Sequence, residues 1–153
     1  RGINVRFDLY GYGSESELKF LKNKINELKL EEHVSVKNFT NPIKILISSD
    51  LLILASLKYE AFGIALIDSM ALGIPVLGSN IGGIKEVLSF SKESLFEKGN
   101  YYDLADKIEY IILNPEISYK RGVKGRKKFI NDFNGVKSIN LYKKELNNKT
   151  WKN

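Results

Sequence analysis

Two short apolar runs constrain the fold of this chain more than any other feature. Asp50-Leu51-Leu52-Ile53-Leu54 and Pro75-Val76-Leu77-Gly78 are almost wholly apolar, whereas a strand with one wet face alternates apolar and polar residues. Near-continuous patterning of this length fits a parallel strand covered on both faces. Between the runs lies a helical stretch from about Gly63 to Leu72, followed by Gly73 where a left-handed C-cap is expected. Strand, helix and strand in that order form one crossover unit of a parallel sheet.

The rest of the chain continues the alternation. Val5, Phe7 and Leu9 alternate with Arg6 and Asp8, predicting a strand that runs into the turn Gly11-Tyr12-Gly13. Ser14 and Glu17 have the spacing of a capping box, ahead of a helix with Leu18, Leu21, Ile25 and Leu28 as its apolar stripe. Val34-Ser35-Val36 reads as the next strand, and Asn41-Pro42 opens a short helix through Ile47. Gly82-Gly83 precedes a short helix around Glu86, and Ser94-Leu95-Phe96 reads as a last strand. Three helices should follow: one lined by Leu104, Ile108, Ile111 and Ile112, one started by Asn114-Pro115, and a final one after Phe133-Asn134-Gly135 with Val136, Ile139, Tyr142 and Leu146 turned inward. The expectation is an α/β fold, a Rossmann-like parallel sheet flanked by helices with a helical C-terminal tail. Residues 1–113 form its sheet-bearing part and residues 114–153 its basic C-terminal helices.

Composition narrows the chemistry. A chain of 153 residues, 43% hydrophobic and 27% charged, has room for one domain with a real core. It contains no cysteine, which excludes disulfides and thiolate metal sites. The single histidine, His33, sits in a polar loop, so neither a zinc site nor a Ser-His-Asp triad is expected. No Asp-x-Asp pair, Walker loop or helical His-x-x-x-His is present, and no metal site is predicted. No apolar run approaches membrane-spanning length and no signal peptide is visible, so the expected location is cytoplasmic, extending to the inner face of the membrane. The net charge of +6 is uneven: residues 119–153 hold 11 Lys+Arg against 2 Asp+Glu, residues 1–118 hold 13 against 16. A segment this basic suits an anionic lipid surface, a nucleic acid or an acidic partner, or is simply a solvated helical face.

The strongest functional pattern is Glu60-Ala61-Phe62-Gly63-Ile64-Ala65-Leu66-Ile67-Asp68. One acid precedes a helix and the other lies inside it, so the pair can grip both ends of a polar ligand; the alternative is that Glu60 caps the helix and Asp68 is a solvated helical carboxylate. Helix N-terminal N–H groups between them can hold an anion. Asp68 has apolar neighbours in Leu66, Ile67, Met70 and Ala71, a costly setting for an idle charge. Gly11-Tyr12-Gly13 lacks the third glycine of a dinucleotide fingerprint, since Ser16 stands there, so a tight turn and a backbone-first ligand approach both remain open. Asn38 and Phe39, after a strand, are candidates to frame a base, with a core role for Phe39 equally open.

Glu60-Ala61-Phe62-Gly63, Asp68-Ser69-Met70-Ala71, Gly73-Ile74-Pro75-Val76 and Gly82-Gly83…Glu86 together resemble the nucleotide-binding half of GT-B glycosyltransferases. The nearer likeness is to the retaining "glycosyltransferases group 1" family, also called family 4, with its Glu-x7-Glu motif. Leu9 to Gly13, Val34 to Phe39 and Phe133…Leu141-Tyr142 extend the likeness over nearly the whole chain. The resemblance implies metal-independent sugar transfer, with retention, from a UDP- or GDP-sugar, with no cofactor and no nucleic acid, in glycan assembly that uses a lipid-linked acceptor or peripheral membrane contact. It implies that Glu60 is catalytic and contacts the donor sugar or its phosphate-linked end, that amides near Phe62, Gly63 and Ile64 meet the diphosphate, and that Asp68 accepts from the ribose. It further implies Gly11, Gly13, Asn38 and Phe39 at the donor. Asp68 stands where the family usually has Glu. The resemblance also implies that the chain begins after the family's first strand and its Arg/Lys diphosphate clamp, as a piece of a longer protein whose acceptor domain lies elsewhere. It implies too that the final helix crosses to that domain, leaving the Val136 to Leu146 face partly uncovered here. A sugar-nucleotide epimerase of related fold and a non-catalytic interaction module with a decayed site are the alternatives.

Overall fold

The computed structural model describes residues 2–148. They fall into two compact units, one ending at Lys44 and the other beginning at Ile45.

In the first unit, β1 (Phe7–Gly11) and β2 (Val34–Asn38) pair in parallel, from Phe7 opposite Val34 to Gly11 opposite Asn38. The crossover helix α1 (Glu15–Glu27) begins with the expected capping box: Ser14 and Glu17 each accept from the other's backbone N–H. β1 starts two residues later than the alternation suggests, because Val34 is the first residue of β2 available to pair with it.

Across this ladder Asp8 Oδ2 accepts from Lys37 Nζ at 2.8 Å and from Arg6 at 3.1 Å, while Oδ1 is buried without a partner. The Lys37 hydrogen bond lowers the Asp8 pKa below its ordinary 3.8, burial opposes the shift and Arg6 reinforces it. A carboxyl depressed in the folded state contributes stability above its unfolded value, and loses it as pH falls through the folded one. Stability measured by urea unfolding is therefore expected to fall on acidification below about pH 4, and Asp8→Asn should flatten that part of the profile.

The second unit is a parallel sheet of order β3-β4-β5, with β3 at Leu52–Leu54, β4 at Val76–Ser79 and β5 at Leu95–Phe96. Around it lie α3 (Ile64–Leu72), α4 (Gly82–Val87), α5 (Tyr101–Leu113) and α6 (Pro115–Asp132), with α2 (Pro42–Ile47) before the sheet and α7 (Gly135–Asn148) after α6. The two apolar runs behave as double-sided strands. Leu52, Leu54 and Val76 pack into one cluster with Leu66, Met70 and Ile84, while Leu51, Ile53 and Leu77 pack into another with Phe96 and Ile111. β4 is fully buried; β3, an edge strand of this sheet, is half-buried.

α6 lies close against α3. A Cβ on Gly122 would stand 2.0 Å from the Gly73 carbonyl oxygen, and Arg126 donates to the Ala71 carbonyl at 2.6 Å, a cation where the α3 dipole is negative. The inward turn that spacing suggests for α7 is not what the structure shows: Val136, Ile139 and Tyr142 are 65%, 54% and 73% exposed, the uncovered face that the resemblance implies. An amphipathic period identifies an apolar stripe but not the surface that covers it. The side chain of Leu146 lies outside the described residues. Among the described residues no helix is long and apolar enough to cross a membrane.

Candidate functional site

The segment between the carboxyl end of β3 and the amino end of α3 carries Glu60, and three features shape it. Ser79, ending β4, donates its hydroxyl to the Ser56 carbonyl at 2.8 Å and so ties the segment to the sheet. Gly83, in the first turn of α4, donates its N–H to the Glu60 carbonyl at 2.9 Å. Gly63, the N-cap of α3, is left-handed at φ 76°, a conformation that favours glycine. Leu54 and Leu66 crowd the space that a side chain there would need.

The half-buried Glu60 turns its carboxylate back on its own loop. Oε1 accepts from Gly63 N–H at 3.1 Å and from Phe62 N–H at 3.4 Å. Two of the three amides assigned to a diphosphate are therefore bonded to Glu60 in this structure. The N–H groups of Ile64 and Ala65, in the first turn of α3, have no partner among the described residues, as is usual at a helix N-terminus.

Asp68 lies one turn further along α3, half-buried on the outward stripe with the exposed Ile64 and Ala65. Its apolar neighbours Leu66, Ile67 and Met70 face the core instead. The burial penalty inferred from sequence neighbours therefore does not apply, because a helix sends adjacent residues to different faces. Asp68 nevertheless makes no hydrogen bond or ion pair with any described residue, so its full acceptor capacity is open. Glu60, Phe62, Gly63, Ile64 and Asp68 thus lie together around the start of α3.

The first unit gathers its own candidates. Gly11 and Asn38 are the last register pair of β1 and β2, and the exposed Tyr12 and Phe39 rings lie 5.9 Å apart, tilted by 46°. Phe39 is 46% exposed, which removes the core alternative. Neither Gly11 nor Gly13 has a positive φ, and a Cβ on Gly11 would meet nothing within 4 Å. His33 is exposed. Among the described residues no three His, Cys, Asp or Glu side chains cluster as metal ligands do. An open concavity between α5 and α6, lined by Glu93, Tyr110, Ile117 and Arg121, holds none of the predicted site residues.

Two residues that shape the Glu60 loop are not among the predicted site residues. Gly83 enters the resemblance within Gly82-Gly83 and Phe133 within Phe133…Leu141-Tyr142, but neither pattern shows that Gly83 N–H bonds the Glu60 carbonyl or that the Phe133 ring meets that of Phe62.

Residues 1–129 match the model of the family described as Glycosyl transferases group 1. The chain belongs to this family. It is 30% identical over 144 residues to N-acetyl-alpha-D-glucosaminyl L-malate synthase of Bacillus anthracis, a match that covers 92% of this chain and 36% of that protein. Its fold superposes with a TM-score of 0.88 on the Anabaena protein Alr3699/HepE solved with UDP, at 23% identity, covering 95% of this chain and 41% of that one. With TarM of S. aureus, solved with Fondaparinux, alpha-GlcNAc-glycerol and UDP, the TM-score is 0.82 at 30% identity, covering 95% of this chain and 29% of that one. The architecture is that of the C-terminal part of a GT-B enzyme, parallel sheets flanked by helices with a helical C-terminal part. The chain spans about a third of the length of the Bacillus anthracis relative.

Proposed function

We propose that this chain is the donor-binding part of a glycosyltransferase that takes a sugar from a UDP-sugar and transfers it with retention, without a metal ion, in the assembly of a cell-surface glycan. The observation that carries the reading is the outward face of α3: open Ile64 and Ala65 N–H groups, with Glu60 on one side and an unpartnered Asp68 one turn beyond. In this reading the helix terminus meets the diphosphate, where partial positive charge stabilises the leaving group. Asp68 accepts from the ribose hydroxyls and Glu60 faces the donor sugar. UDP is favoured over GDP because TarM, similar over 95% of this chain, was solved with UDP.

Nucleotide titration followed by amide shifts tests this. UDP is expected to move the Gly63 and Ile64 resonances of the full-length protein, with GDP weaker. Asp68→Ala should weaken UDP binding about tenfold, the worth of a charge-assisted hydrogen bond of about 1.5 kcal/mol, without loss of stability because the carboxylate has no protein partner to lose. Asp68→Glu should bind at least as well, since the longer acid reaches further. If neither nucleotide gave any response, the reading would fail and a non-catalytic module would take its place.

A further inference from the structure

Phe62 and Phe133 meet edge to face, with ring centroids 5.9 Å apart and planes at 77°, an arrangement that aromatic pairs favour. Phe62 belongs to the Glu60 loop and is 48% exposed. Phe133 is the better anchored of the two. It ends α6 with its N–H on the Phe129 carbonyl at 2.9 Å, and it packs on the cluster of Leu66, Met70 and Ile84. Just beyond it, Asn134 Oδ1 accepts from Val136 N–H and opens α7, so the corner is fastened on both sides.

We infer that Phe133 is a positioning residue for the Glu60 loop, acting through the ring of Phe62. The loop backbone is tied by Gly83 N–H on the Glu60 carbonyl and by the Glu60 carboxylate on Gly63 N–H. Both ties act on backbone and leave the Phe62 ring unrestrained. The next residue, Gly63, has no side chain, and the Phe62 N–H is held only by a long 3.4 Å bond. What steadies the Phe62 peptide from its side chain is the Phe133 ring, which stops the Phe62 ring from swinging. Holding that peptide holds the Phe62 and Gly63 N–H groups and the direction of the Glu60 carboxylate.

The consequence for donor binding rests on the function proposed above; the consequence for loop order does not. The test uses Phe133→Leu, Phe62→Leu and the double variant in the full-length protein, reading amide hydrogen exchange, UDP affinity and urea unfolding. Leucine keeps apolar bulk in the cluster but removes the ring edge. Phe133→Leu is expected to speed exchange at Phe62 and Gly63 about tenfold beyond any change in global stability, and to weaken UDP binding roughly threefold to tenfold, the range an aromatic pair supports. The double variant should be no worse than Phe133→Leu alone, since both changes break one interaction, and Phe133→Tyr should restore both readouts. Wild-type exchange at Gly63 in Phe133→Leu, or fully additive losses in the double variant, would overturn the inference. Faster exchange in a protein that binds no nucleotide would uphold the positioning role while the proposed function fell.

Discussion

Gly83→Ala is expected to cost roughly 3 kcal/mol or more of stability and to abolish nucleotide binding together with it. A Cβ at Gly83 would stand 2.0 Å from the Ala61 carbonyl oxygen, 2.5 Å from its carbon and 2.8 Å from the Phe62 Cα. All three atoms are backbone, so no change of rotamer relieves the clash. Relief requires α4 to retreat from the Glu60 loop, which breaks the 2.9 Å bond from Gly83 N–H to the Glu60 carbonyl. Retreat is itself opposed by Gly78 of β4, where α4 packs so closely that an added Cβ would lie 2.5 Å from Ile84. Thermal unfolding should show a fall in Tm of about 6–12 °C for a chain of this size. Gly11→Ala is the contrasting control, since open space surrounds that position and a change within about 0.5 kcal/mol is expected. A Gly83→Ala protein with wild-type Tm and UDP affinity would show that α4 does not hold the Glu60 loop.

The contrast between Gly83 and Gly11 shows which parts of this molecule were legible in its sequence. Features governed by residues near each other in the chain could be read directly. The Ser14–Glu17 capping box, the Asn41-Pro42 helix start, the left-handed Gly73 and the apolar runs of β3 and β4 all formed as expected, because each depends on local hydrogen bonding or on a residue period. The α3 segment was legible for the same reason. Features governed by contacts between distant segments could not be read. No pattern links Gly83 to Glu60, or Phe133 to Phe62. The Glu60 carboxylate bonded to its own loop is close to the helix-cap alternative, but the motif could not choose between that and a ligand role, because several side-chain rotamers fit it. The exposed stripe of α7 marks the same limit: Val136, Ile139 and Tyr142 have the spacing of a buried face, and spacing is silent about what lies opposite.

Glu60→Gln is expected to lower the rate of sugar transfer by the full-length protein by about a hundredfold or more, while leaving the fold intact and UDP binding unchanged or tighter. Glutamine has the same shape, and its amide oxygen can take over the bonds from Gly63 and Phe62 N–H at 3.1 and 3.4 Å. The loop should therefore keep its conformation, and Tm should move little. What is lost is the negative charge. If the helix amides meet a diphosphate as proposed, a carboxylate beside them repels the ligand, so its removal should not weaken UDP. In the function proposed above, a charge that opposes nucleotide binding has its use at the sugar, where positive charge develops as the glycosidic bond to the diphosphate breaks. Removing a group that acts in the transition state lowers kcat and kcat/KM alike. Glu60→Ala separates this role from the loop cap: it removes both hydrogen bonds as well, so loop order and UDP affinity should suffer along with turnover. Transfer at the wild-type rate by Glu60→Gln would reduce Glu60 to a capping residue and remove the catalytic role from this site.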